Sequence, residues 1–161
     1  MDTQNVKKIT DEKVGLQKAE HYCAYQERSQ QEVRDKLYEW GLWPQAVEKV
    51  ISQLIETNFL NEERFAKAYV KGKFKQKAWG RVKIKQGLKF KKLPDVLIKK
   101  ALLTIDADDY LVMLAKVLNK KAALIKEKDD YKRRYKLQQY AMSRGYESDL
   151  IADILKDELN N

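Results

Sequence analysis

The chain has 161 residues, of which 43% are hydrophobic and 35% charged, and its formal net charge is +9 at pH 7. Its six glycines and two prolines are too few for an all-β or loop-rich fold, and no apolar run approaches the roughly 20 residues that a membrane span needs. One cysteine and one histidine provide neither an intramolecular disulfide nor a metal-ligand pattern, so we expect a soluble, cytoplasmic protein with no metal and no cofactor.

The first third of the chain carries signals for three helices. Thr10 precedes two acidic residues and is expected to cap the first helix. Ser29 and Glu32 form the pattern of a capping box that starts the second helix, and Gly41 is expected to end it. Pro44 fits the first position of the third helix.

Six further helices are predicted downstream, where start and stop signals follow one another with short breaks. Asn61 is expected to cap the fourth, and Pro94 fits the first position of the sixth. The fifth is predicted to run from about Trp79 to Phe90, and the seventh to begin at Asp106. The eighth is predicted to end at Gly145, and the ninth to run from Glu147 to Leu159.

The helical pattern repeats along the chain. A shift of 51 residues places Leu37 on Leu88, and a shift of 104 places Gly41 on Gly145. The pattern therefore predicts an all-α fold of three tandem three-helix repeats, which form an elongated, curved helical array. The expected repeats are residues 1–60, with an N-terminal extension, 61–105 and 106–161.

Candidate catalytic groups are sparse. His21 and Cys23 stand two positions apart, a spacing that does not bring helical side chains face to face. The carboxylate pair Glu62 and Glu63 falls in a first helical turn, where the helix dipole already explains it. We therefore expect a protein that is not an enzyme.

The middle of the chain is strongly basic. Residues 61–105 contain 14 basic and three acidic residues, and residues 71–92 contain ten basic residues and no acidic one. Like charges four positions apart destabilise a helix slightly, so a purely structural helix would be expected to include acids. A polyanionic partner is the favoured interpretation; a solvated basic face and a membrane-surface helix are the alternatives.

The predicted contact residues lie in this basic segment. Tyr69 and Phe74 could stack on bases or pack in the core, with the core favoured for Tyr69, whereas Trp79 is expected to be an exposed anchor. Arg81, Lys85 and Lys89 should share one stripe of a helix with Lys92. The full predicted set is Lys71, Lys73, Lys75, Lys77, Trp79, Arg81, Lys83, Lys85 and Lys89.

Two short motifs resemble the RecX family of bacterial recombination regulators. That family's second repeat has the pattern G-x-L-[DN]-[DE]-x-x-[FY]-A, and its first repeat opens with R-S-x-x-E-[LV]. Asn58 replaces the usual glycine, although Asn also tolerates a left-handed helix end. The matching residues are Leu60, Asn61, Glu62, Phe65 and Ala66 in the second repeat, and Arg28, Ser29, Glu32, Leu37 and Gly41 in the first.

The resemblance covers residues 16–159. We expect a monomer without a membrane partner, because the apolar residues are needed for the core of the repeats. The resemblance implies binding to the RecA recombinase filament on DNA and inhibition of strand exchange, ATP hydrolysis and co-protease activity, in DNA repair and the SOS response. It assigns no interface residues. Direct binding to single- or double-stranded DNA by a helix-turn-helix-like module, or a scaffold role for another acidic protein, stays open beside it.

Overall fold

The computed structural model describes residues 11–159, and this part of the chain contains nine α-helices and no strand. None of these helices is long and apolar enough to cross a membrane. The predicted all-α class is confirmed. The helices are α1 (Glu12–Tyr25), α2 (Gln30–Glu39), α3 (Pro44–Glu56), α4 (Glu62–Lys77), α5 (Arg81–Phe90), α6 (Asp95–Leu102), α7 (Ala107–Ala122), α8 (Asp130–Ser143) and α9 (Ser148–Leu159).

The chain forms two compact units. Over the described residues, the first contains residues 11–68 and 91–93, and the second contains residues 69–90 and 94–159. Helix α4 begins in the first unit and ends in the second. The expected repeat boundaries near residues 60 and 105 stay a prediction.

In the first unit, α3 packs against both α1 and α2. The local signals act as predicted: Ser29 and Glu32 form a capping box, and Pro44 opens α3. Asp11 caps α1 by accepting a hydrogen bond from the Lys13 amide; Thr10, the predicted cap, lies outside the described residues. Fully buried aliphatic side chains fill the centre of the unit: Val33, Leu37, Val47, Val50, Leu54 and Leu60.

In the second unit, α5 packs on α6, and α7, α8 and α9 pack on one another. An aromatic cluster joins several of these elements. The Phe74 ring stacks on Tyr110 with ring centres 5.9 Å apart, and Tyr146 lies 5.2 Å from Tyr110 on the same measure. Aliphatic residues complete the core: Ile84, Leu88, Ile98, Leu114, Leu118 and Ile151.

Matched left-handed residues follow three helices. Gly41, Lys92 and Gly145 have φ angles of 99°, 62° and 96°, and the repeat shifts of 51 and 104 residues superpose them. Glycine adopts this conformation without strain, whereas lysine does not. The backbone therefore repeats its geometry even where the residue type changes.

Four predicted helix starts were wrong by one or two residues. Asp106 is the N-cap of α7 and not its first residue. Pro94 is the N-cap of α6 and not its first residue. Helix α5 begins at Arg81 and not at Trp79, because residues 78–80 pack against another turn of the second unit. Helix α9 begins at Ser148 and not at Glu147.

Candidate polyanion-binding site

The end of α4 carries exposed lysines and no acidic residue. Asn61 caps the start of the helix by accepting a hydrogen bond from the Arg64 amide over 2.9 Å. Lys71, Lys75 and Lys77 are exposed, and the last two lie in the final turn. Positive charge is favoured there because the carbonyl end of a helix is electronegative.

A left-handed turn ends α4 and fixes the position of Trp79. Ala78 has a φ angle of 54°, and its amide donates to the Phe74 carbonyl over 3.1 Å. The Trp79 amide donates to the Lys73 carbonyl over 3.0 Å. The Ala78 bond is the single bond that defines the αL capping motif, and together the two bonds satisfy two of the last carbonyls of the helix.

The break between α4 and α5 is anchored on the turn between α8 and α9. The Gly80 amide donates to the Arg144 carbonyl over 2.8 Å, and the Val82 amide donates to the Gly145 carbonyl over 2.9 Å. The Tyr146 hydroxyl donates to the Ala78 carbonyl over 2.9 Å. The backbone around Trp79 is therefore held by contacts that do not involve the lysine side chains.

Glycine is required at the closest point of this contact. A Cβ atom on Gly80 would overlap the carbonyl group of Gly145 and the backbone nitrogen of Tyr146. Backbone atoms cannot move aside as the end of a flexible side chain can. The two turns therefore approach one another closely only because position 80 has no side chain.

Two lysines from different helices flank the Trp79 ring. The ring centre lies 4.8 Å from the Lys73 ammonium and 4.5 Å from the Lys83 ammonium, within the range of cation–π attraction. The Lys73 ammonium also lies 5.4 Å from the Tyr69 ring centre. Lys73, Trp79 and Lys83, which we call the Trp79 cluster, combine positive charge with a half-buried indole.

Arg81 has a structural partner. Its Nη1 lies 2.8 Å from Oε2 of Glu147, and its guanidinium carbon lies 3.9 Å from the Tyr110 ring centre. The Tyr110 hydroxyl donates to Glu147 and accepts from the Arg81 amide over 3.0 Å. This network ties the start of α5 to α7 and to the α8–α9 turn.

The ionisation of two buried tyrosines reflects this packing. Burial raises the pKa of Tyr110, and its hydrogen bond to Glu147 raises that pKa further. Burial also raises the pKa of Tyr146 to about 12. Both hydroxyls are therefore protonated at neutral pH and can donate their hydrogen bonds.

The remaining predicted residues, one arginine and two lysines, line a groove. Arg81, Lys85 and Lys89 stand on one side of it, and residues of α6 and the start of α7 form the rest. Its volume is about 920 Å³. We call it the α5–α7 groove. Lys92 is not part of this row, because α5 ends at Phe90.

The nine predicted residues therefore fall into three groups: the end of α4 (Lys71, Lys75, Lys77), the Trp79 cluster (Lys73, Trp79, Lys83) and the groove row (Arg81, Lys85, Lys89). Phe74 is 6% exposed and packs in the core, so base stacking by that ring was a wrong alternative. Trp79 is half-buried and not a fully exposed anchor.

Sequence reasoning missed the role of Glu147. It was interpreted only as the start of a helix, and nothing local to it indicates a partner 66 positions away. Among the side chains that the structure describes, residues 11–157, no group of three or more His, Cys, Asp or Glu is placed to hold a metal ion.

Family comparison assigns all three repeats. The models described as the first, second and third three-helix domains of RecX match residues 16–54, 61–102 and 108–155. The regulatory protein RecX of Prosthecochloris aestuarii is 30% identical over 155 residues, covering 94% of this chain and 98% of the relative. The regulatory protein RecX of Clostridium perfringens strain SM101 is 33% identical over 136 residues.

The chain spans only 63% of the length of that clostridial relative, while the match covers 83% of the chain. Among solved structures, RecX from Lactobacillus salivarius has a TM-score of 0.83 at 24% identity and covers 92% of this chain and 96% of its own. At this identity the structural match shows the fold, which agrees with the three family domains.

Proposed function

This chain belongs to the RecX family of regulatory proteins, and we propose that it binds the RecA recombinase filament on DNA. We propose that it inhibits the recombinase, ATPase and co-protease activities of the filament and so acts in DNA repair and the SOS response. In this proposal the chain acts by occupying a surface of the filament, and it catalyses no chemical step. The chain spans only 63% of the length of the clostridial relative. The activity is therefore a proposal for this chain and is not transferred from that relative.

The observation that carries the proposal is the acid-free basic segment, residues 71–92, that contains the Trp79 cluster. Three exposed lysines at the end of α4 lie in the same segment as two ammonium groups that flank one indole ring. Lysines attract phosphates through charge, and an aromatic ring offers a face to a base or to a partner side chain. A nucleoprotein filament presents both kinds of surface.

The hydrogen bonds between the two turns support this interpretation. Because the backbone of residues 77–82 is held by the α8–α9 turn, the lysine side chains are not needed to hold it in place. Arg81 differs, since its guanidinium is bound to Glu147. We therefore propose the predicted residues other than Arg81 as the contact set.

The test is a titration of RecA-catalysed ATP hydrolysis on single-stranded DNA with the purified chain. We expect the rate to fall as the chain is added. A rate that is unchanged at equimolar chain and RecA would refute the proposal.

The residues are tested by the triple variant Lys71→Glu, Lys75→Glu, Lys77→Glu. We expect half-inhibition to require at least about tenfold more protein, because three attractions become repulsions. The matched control is Lys116→Glu, Lys128→Glu, Lys132→Glu, which changes three exposed lysines of the second unit by the same charge. Equal loss in both variants would mean that net charge matters and the α4 surface does not.

Direct DNA binding without a recombinase is the second candidate, and the same Trp79 cluster favours it because lysines and an indole suit a single strand. It predicts that the chain alone shifts a labelled oligonucleotide in a gel, with an affinity that falls steeply as salt rises. Inhibition of RecA without any such shift would favour the filament itself as the partner.

A further inference from the structure

The α5–α7 groove has an apolar floor. Ile98 is buried, Leu102 and Ile105 are half-buried, and Leu103 is 75% exposed. All four side chains line the groove. Leu103 therefore adds an exposed apolar side chain to the apolar lining of the groove.

The rim of the groove is mainly basic. Lys85, Lys89 and Lys99 are exposed, and none of the three forms an ion pair with another described residue. Arg81 also lines the groove, but Glu147 balances its charge. The free positive charge therefore comes from three lysines, two on α5 and one on α6.

Two carboxylates interrupt this rim at helix starts. Asp106 caps α7 by accepting a hydrogen bond from the Asp109 amide over 2.9 Å, and Asp95 lies in the first turn of α6. The positive end of each helix stabilises these charges. The rim therefore carries charges of both signs, with the lysines in excess.

We propose that the α5–α7 groove binds a short acidic peptide segment of a partner protein. Its carboxylates would contact Lys85, Lys89 and Lys99, while one or two large aliphatic side chains would pack on Leu102 and Leu103. A volume of about 920 Å³ lies within the usual range of roughly 300–1,000 Å³ for binding pockets. The lysines favour an acidic ligand, and the apolar floor favours one that also carries aliphatic side chains.

A nucleic acid fits this groove less well than a peptide does. None of the residues that line it is aromatic, so the bases would find no ring on which to stack. Asp95 and Asp106 would also repel a continuous chain of phosphates, whereas a peptide carries its acids at separate positions. The groove and the Trp79 cluster therefore suit different classes of partner.

This inference rests on the proposed function only if the partner protein is part of the RecA filament. Peptide binding to the groove and inhibition of RecA can therefore fail separately. The ATPase titration requires RecA. Peptide binding is measured without any recombinase.

The test is isothermal titration calorimetry of the full chain with a short amphipathic peptide of leucine and glutamate. The comparison peptide has serine in place of every leucine. We expect the leucine peptide to bind at least about tenfold more tightly, because only it can bury aliphatic surface on the groove floor. Equal affinity of the two peptides would overturn the proposal.

Two variants locate the binding site. Lys85→Glu with Lys89→Glu should weaken the leucine peptide at least about tenfold, whereas the matched pair Lys75→Glu with Lys77→Glu should change it less than about twofold. Leu103→Ser should weaken it about threefold or more, and its 75% exposure means that the fold does not depend on it. Circular dichroism verifies that each variant is folded.

Two further results would contradict the proposal. The first is an equal loss of peptide affinity in the groove pair and the matched pair. The second is an oligo-dT strand that displaces the peptide and is itself weakened by the groove pair alone, since that result would assign the groove to nucleic acid.

Discussion

Helices α2 and α5 occupy matched positions in the first and second repeats, and they share a buried face but differ on the exposed one. Val33 and Leu37 of α2 are fully buried, and so are Ile84 and Leu88 of α5. The spacing of four residues is the same in both pairs. Burial of apolar area therefore fixes the same register twice.

The exposed face of α2 contains ion pairs, whereas that of α5 contains lysines without acidic neighbours on the helix. On α2, Arg34 pairs with Glu48 over 2.7 Å and Lys36 pairs with Glu39 over 3.3 Å. The hydrogen bond from Arg34 lowers the pKa of Glu48. On α5, Lys85 and Lys89 are exposed, and no acidic residue occurs on the helix.

This difference separates what the fold requires from what it permits. Exposed ion pairs contribute only about 0–1 kcal/mol, so the pairs on α2 are not what makes that helix fold. The acid-free face of α5 therefore carries little cost in stability. Its charge is free to serve a partner.

The largest expected effect tests the shared face. Leu37→Ala and Leu88→Ala should each lower the free energy of unfolding by about 2–5 kcal/mol, because each leaves a cavity at a fully buried site. Equilibrium urea unfolding measures both. A cost below about 1 kcal/mol at one of the two positions would break the equivalence of the helices.

The next effect concerns the matched caps, Ser29 and Gly80. The Ser29 hydroxyl accepts a hydrogen bond from the Glu32 amide over 3.1 Å, so Ser29→Ala should cost about 1 kcal/mol. Gly80→Ser would improve an ordinary cap, but here it should cost at least about 2 kcal/mol, because the new Cβ overlaps the Gly145 carbonyl.

Gly72→Ala is the control for the Gly80 variant. Nothing lies within 4 Å of a Cβ added at Gly72, so this change should stabilise α4 by about 0.5–1 kcal/mol. Thermal unfolding ranks the three variants. A Gly80→Ser protein as stable as the parent chain would show that the two turns can separate without cost.

The smallest effect concerns the left-handed residues Gly41 and Lys92. Lys92→Gly should raise the free energy of unfolding by up to about 1 kcal/mol, because relief of left-handed strain outweighs the added freedom of the unfolded chain. Gly41→Ala should lower it by about 1 kcal/mol for the same reason. Denaturant unfolding that moves both variants in one direction would contradict the matched geometry.

Features encoded within a few residues could be predicted from sequence. The capping box at Ser29, the start of α3 at Pro44 and the cap at Asn61 depend on neighbours three or fewer positions away. The repeat is indicated by the matched spacing of apolar residues and glycines. The all-α class and the three three-helix domains are accordingly confirmed.

Features that depend on distant contacts could not be predicted. Arg81 and Lys83 are two positions apart on α5, yet one binds Glu147 and the other flanks Trp79. Position 80 allows no side chain, because it lies against the Gly145 carbonyl. The Arg81–Glu147 and Gly80–Gly145 pairs are each more than 60 positions apart, and no local pattern encodes them.

The two lysines beside Trp79 have an optical consequence. Indole emission responds to nearby charge, and the chain has only two other tryptophans, Trp40 and Trp43. Replacing those two with phenylalanine would leave a single intrinsic fluorophore with ammonium groups 4.8 Å and 4.5 Å from its ring. A phosphate that draws either lysine away would change the emission spectrum, so the cluster reports its own occupancy without a dye.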